Sequence, residues 1–114
     1  MQRLSLSILF AASAVIASCD KASETTSGID LDLGKTVYTQ RCGSCHERGM
    51  AGAPRTGMAG EWTTALARGI DTLIANSIEG YRGERGFMPP RGGHAALTDA
   101  EVTAAVHYMI SNIR

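Results

Sequence analysis

The stretch Arg41-Cys42-Gly43-Ser44-Cys45-His46 places two thiols and an imidazole within five consecutive positions. On a helical turn, positions i and i+3 are neighbours, so Cys42 and Cys45 can present both sulfurs to one edge of a bound ring. Two thiols at this spacing with a histidine directly behind them form the attachment signature of a c-type haem. The sulfurs would form thioethers with the two vinyl groups, and His46 would sit under the iron as an axial ligand. Small Gly43 and Ser44 keep the space between the sulfurs free of bulk.

Three other chemistries use some of these residues. A thioredoxin-like redox pair also reads Cys-x-x-Cys, but it belongs beside a strand-helix-strand pattern, and none is visible here. A zinc centre needs a second ligand pair, whereas His94 and His107 lie far along the chain with no cysteine beside either. A disulfide between Cys42 and Cys45 would leave His46 without a role.

A six-coordinate haem needs a second axial ligand. Met88 stands directly before Pro89-Pro90 and between glycine-rich arms. Prolines stiffen the backbone and remove donors that would need partners, which suits a ligand loop. Met58, in another loop, and His94, which would give a bis-histidine haem, are the alternatives. Met50 follows His46 too closely to reach around the ring, Met109 sits on the packed face of the last helix, and His107 in that helix reads as a surface or satisfied histidine.

The chain has 114 residues, a hydrophobic fraction of 44%, 11 basic against 11 acidic residues, and 3 cysteines. That length suits one domain. Without a basic stripe, nucleic acid is not an expected partner. A domain this small usually needs a staple, and a covalent haem would be one, so the haem-free chain should fold poorly.

Residues 1–18 read as an export signal: Arg3 leads an apolar run from Leu4 to Ala17 that is too short to span a bilayer comfortably. The run ends Val15-Ile16-Ala17-Ser18-Cys19, which resembles a bacterial lipobox, with Cys19 as the acylated first residue of the mature chain. An ordinary secretory cleavage leaving a free thiol is the alternative. Asp20 resembles an inner-membrane retention signal, which favours that membrane. Residues 19–32 carry four acids against one lysine and little apolar content, the composition of a flexible tether.

The elements that would position the site begin with a helix from about Leu33 to Cys42, followed by a glycine-rich loop over 47–60. Trp62, Ala65 and Leu66 recur at helical spacing between Glu61 and Arg68, with Gly69 as a stop. Asp71 is expected to cap a further helix ending at Gly80, and 80–94 reads as a loop. Thr98-Asp99-Ala100-Glu101 is a capping box with Leu97 and Val102 as its staple. Behind it, Val102, Ala105, Val106, Met109, Ile110 and Ile113 share one helix face as core.

Over residues 33–114 the chain resembles a class I cytochrome c, and within that family the short bacterial c-five type. The resemblance rests on Gly34-Lys35-Thr36-Val37-Tyr38, the Cys-x-x-Cys-His motif, Gly52-Ala53-Pro54, Met88-Pro89-Pro90 with Gly92-Gly93, and Val106-His107-Tyr108-Met109. It implies an all-α fold of three to five short helices around one covalent haem c, with the first and last helices crossing. Pro54 resembles the proline whose carbonyl receives the proximal imidazole. Trp62 resembles the aromatic near the haem propionates, although it would serve equally as a core anchor. The family's frequent extra disulfide pair is missing.

The implied function is one-electron transfer between periplasmic or membrane-associated redox proteins, with no small-molecule substrate and no enzymatic step. A haem gas sensor or a peroxidase-like protein would instead require a labile sixth ligand. A subunit domain of an oxidase complex is a further possibility. From Leu33 onward nine basic residues face seven acids, so docking should rest on the apolar rim of the haem edge rather than on a strong field.

Overall fold

A computed structural model describes residues 28–114. The export segment, Cys19 and most of the expected tether lie outside the described residues. Asp30 Oδ1 accepts the N–H of Leu33 at 2.9 Å and caps helix α1 (Leu31–Val37). The helix therefore begins ahead of the Leu33 start that hydrophobicity suggests, because a carboxylate at the N-cap satisfies a backbone donor that apolar pattern ignores. Thr36 and Thr39 return their hydroxyls to the carbonyls of Asp32 and Lys35, at 3.0 and 2.8 Å.

After Val37 the helix widens into one π-helical turn (Tyr38–Cys42), closed by the Gly43 N–H on the Tyr38 carbonyl, and continues as α2 (Gly43–His46). Each residue advances a helix by about 100°, so one extra residue in a turn swings everything beyond it to a new face. The π turn thus decides where Cys42, Cys45 and His46 point. Nothing in the amphipathic pattern announces it.

Helix α3 (Ala59–Leu66) is followed by a tightened turn that ends at Gly69, whose φ is +86°. Helix α4 (Ile70–Glu79) starts at once from Gly69. Asp71 is therefore not its N-cap, as the sequence suggests, but lies in its first turn, where its charge still favours the helix dipole. Gly80 ends α4 as expected.

The expected loop over 80–94 contains a short antiparallel hairpin. Strand β1 (Tyr81–Arg82) pairs with β2 (Phe87–Met88), Tyr81 opposite Met88 and Arg82 opposite Phe87. Arg82 lies over the Phe87 ring at 4.8 Å, and Arg68 lies over Tyr81 at 5.0 Å and donates to its hydroxyl. Two-residue strands flanked by glycines fall below what alternation can signal, and the glycines alone imply a loop. A 3₁₀ segment (Pro90–Gly93) follows, with Arg91 reaching the Leu97 carbonyl at 2.8 Å and Asp99 at 2.6 Å.

Helix α5 (Asp99–Ser111) carries the expected capping box: Thr98 Oγ1 accepts from Glu101 N–H, and Glu101 Oε2 accepts from Thr98 N–H at 2.8 Å. It crosses α1 at Gly34, where a Cβ would stand 2.2 Å from the Ala104 carbonyl oxygen. The Tyr38 and Tyr108 rings meet beside that crossing, centroids 5.4 Å apart. Two buried clusters result: Tyr38, Trp62 and Met109 form one, Leu73, Val102 and Val106 the other, and Ala65 packs against both. The all-α architecture stands, with the β1–β2 hairpin as a small two-stranded sheet beside the helices. No described helix is long and apolar enough to cross a membrane.

Candidate haem site

Between the two clusters opens a cavity of about 450 Å³, within the range of about 300–1,000 Å³ usual for cofactor sites. Its walls bring together Cys42, Cys45 and His46 from the first helical stretch, Pro54 from the following loop, Trp62 from α3 and Met88 from β2. Met58 and His94 do not line it, and Met58 is exposed. Met109 lines it while belonging to the buried Tyr38–Trp62 cluster, where it serves as core. Met50 also borders the cavity but is half exposed at its mouth.

His46 is buried at 8% exposure, and its Nδ1 lies 2.9 Å from the Pro54 carbonyl oxygen. A carbonyl only accepts, so Nδ1 carries the proton and the neutral ring keeps its free lone pair on Nε2. Burial pushes the imidazole below its ordinary range, and the Pro54 bond offsets part of that. The result is a neutral, oriented ring with one ligating nitrogen, as metal-bound histidines require. The Trp62 ring stacks against it, centroids 5.9 Å apart.

The Pro54 loop is held at several points. Thr56 N–H donates to the His46 carbonyl at 2.7 Å. Trp62 Nε1–H donates to the Arg55 carbonyl at 2.8 Å. Glu61 receives the Arg55 N–H at 2.8 Å, its Nε at 2.9 Å and its terminal nitrogen at 2.6 Å, and Arg85 at 3.3 Å. These bonds hold the Glu61 carboxyl down to about 2. Glu61 and Arg55 escaped the sequence reading; Arg55 directly after Pro54 was the one available signal.

Cys42 and Cys45 are half-buried free thiols. Burial, with the neighbouring Cys45 adding to it, pushes the Cys42 thiol up to about 11, so it stays protonated at neutral pH. Two thiols, an oriented imidazole and an apolar cradle between two core clusters fit a covalently held haem. Among the described residues, no group of three or more His, Cys, Asp or Glu is placed to hold a metal ion.

The family model described as "Cytochrome C oxidase, cbb3-type, subunit III" matches residues 30–109. Cytochrome c-555 of Chlorobaculum tepidum is 41% identical over 101 residues, covering 89% of this chain and 94% of its own. Cytochrome c5 of Azotobacter vinelandii is 37% identical over 78 residues, covering 67% of this chain and 89% of its own. The cytochrome in a crystal structure of an electron transfer complex of nitrite reductase with cytochrome c superposes with a TM-score of 0.64 at 40% identity, over 75% of this chain and 99% of that one. With this fold, this motif and these relatives, the chain belongs to the class I c-type cytochromes, the family of cytochromes c-555 and c5, and carries one covalently bound haem c.

Proposed function

We propose that this cytochrome is a one-electron carrier whose haem is attached through Cys42 and Cys45 and closed axially by His46 and Met88. The observation that carries this reading is the convergence of all four residues on one cavity, with Nε2 of His46 left as its ligating nitrogen. The haem supplies an iron that holds or gives up one electron. The chain's residues do the rest.

Pro54 fixes the imidazole through its carbonyl, so His46 would offer Nε2 to the iron from one set orientation. The Tyr38–Trp62–Met109 and Leu73–Val102–Val106 clusters keep water from the cavity walls. Pro89 and the 3₁₀ segment after it stiffen the backbone on which Met88 stands. Held by the Met88 thioether and the His46 imidazole, the iron would have a high potential and no position for substrate. A gas sensor or peroxidase-like protein would need that position open.

The partners are redox proteins, in keeping with a relative that is itself crystallised in an electron transfer complex with nitrite reductase. Phe87 and Met50, both exposed and both at the cavity mouth, supply an apolar docking rim. The family model's description raises service within an oxidase complex as a second setting for the same carrier. Export to the periplasm on residues 1–18, a lipid anchor on Cys19 and a tether up to the domain complete the proposal. Mass spectrometry of the mature amino terminus should show acyl chains on Cys19; a lipid-free terminus would make this a secreted carrier.

A redox titration followed by absorption tests the function. One reversible one-electron wave between two low-spin six-coordinate spectra is expected. A high-spin ferrous spectrum would favour the sensor or enzyme.

A further inference from the structure

The two segments that flank the cavity, the Pro54 loop and the Met88 hairpin, meet each other directly. A Cβ on Gly52 would stand 1.8 Å from the Arg85 carbonyl oxygen, and one on Gly86 would stand 1.9 Å from the Ala51 carbonyl oxygen. Each glycine thus receives the other segment's carbonyl, a reciprocal contact that no side chain permits. Gly52 also has φ of +78°, which other residues adopt at a cost.

Glu61 binds both sides of that contact. One of its oxygens takes the Arg55 N–H and the Arg85 guanidinium, and the other takes the Arg55 guanidinium. Arg55 directly follows Pro54, which orients His46, and Arg85 lies three residues before Met88. Glu61 itself lines the cavity, as does Trp62.

We propose that Glu61 is a positioning residue that ties the Met88 hairpin to the Pro54 loop and so keeps Met88 seated over the haem. This rests on Met88 being the sixth ligand. The glycine contact supplies shape and the carboxylate supplies attraction. A lone exposed ion pair contributes little, but one carboxylate accepting a backbone N–H and two guanidinium groups is a network with fixed geometry. Its loss frees the hairpin tip, while the strands β1 and β2 and the haem thioethers remain.

The test uses the haem-loaded protein and variants Glu61→Gln, Arg85→Gln and Gly86→Ala, with Thr98→Ala as a variant that weakens the α5 cap far from the hairpin. Two readouts report the sixth position: the weak long-wavelength charge-transfer band of thioether-bound ferric haem, and the rate at which carbon monoxide binds ferrous haem. Loss of a charged hydrogen bond should raise that rate by about tenfold or more in Glu61→Gln and Arg85→Gln. Gly86→Ala should raise it further and weaken the band. Thr98→Ala should lower the melting temperature and leave both readouts unchanged.

A wild-type band with slow carbon monoxide binding that persists unchanged in Glu61→Gln and Arg85→Gln overturns the positioning role and leaves Met88 as ligand. A wild-type protein without the band, binding carbon monoxide rapidly, overturns the Met88 assignment itself. If Gly86→Ala does not fold, the two conservative variants still decide.

Discussion

The rings of His46 and Trp62 lie against each other, centroids 5.9 Å apart and planes 26° apart, while the indole N–H is bound to the Arg55 carbonyl. Trp62 therefore anchors the core, stiffens the Pro54 loop and faces the imidazole at once. Of the two roles the sequence offered, core anchor or aromatic near the haem propionates, the structure shows the first, with the ring set beside His46.

Trp62→Phe keeps a ring but loses the hydrogen bond, and should cost about 1 kcal/mol in denaturant unfolding. Trp62→Ala, which also opens the Tyr38–Met109 cluster, should cost about 3–5 kcal/mol.

Gly34→Ala tests the helix crossing. The added methyl would lie 2.2 Å from the Ala104 carbonyl oxygen, so α1 and α5 must separate. A cost of about 1–3 kcal/mol is expected from overpacking, at the upper end because the obstacle is backbone. Equilibrium unfolding of the haem-loaded protein measures it.

The haem motif and α5 were legible because each is coded locally: one by residue identity at fixed spacing, the other by a capping box ahead of a 3.6-residue period. The π turn was not, since it changes which face the residues after Tyr38 occupy without changing their pattern. The hairpin was hidden by its own glycines, of which Gly86 is there for contact with Ala51 rather than for flexibility. In the sequence Glu61 marks only the start of a helical stretch. Its role depends on Arg55 and Arg85, which lie 6 and 24 residues away and have no spacing to betray them.

Acid should expose Glu61. Hydrogen bonds from Arg55 hold its folded-state value near about 2, against 4.5 for an ordinary carboxyl. In that window the unfolded chain binds the proton and the folded one does not, so stability rises with pH. The contribution is complete above about 4.5 and fades as pH falls toward about 2. The melting-temperature gap between wild type and Glu61→Gln should be constant from neutral pH down to that point, then close, and shrink in high salt.

Replacing Cys42 and Cys45 together by alanine should abolish covalent haem, seen as loss of haem staining on a denaturing gel, and leave a poorly folded chain. Either single variant should retain at most one thioether. Staining that survived the double substitution would contradict the attachment assignment.

Closure of the iron by Met88 is the claim on which electron transfer depends. Carbon monoxide binding to the ferrous protein at neutral pH, measured on wild type beside Met88→Ala, Met58→Ala and His94→Ala, tests it directly. Wild type, Met58→Ala and His94→Ala should exclude the gas. Met88→Ala should bind it, lose the long-wavelength band and shift to a lower potential within the span of about 0.8 V that axial ligands command. Rapid binding by the wild type, or exclusion that persists in Met88→Ala, would contradict the account.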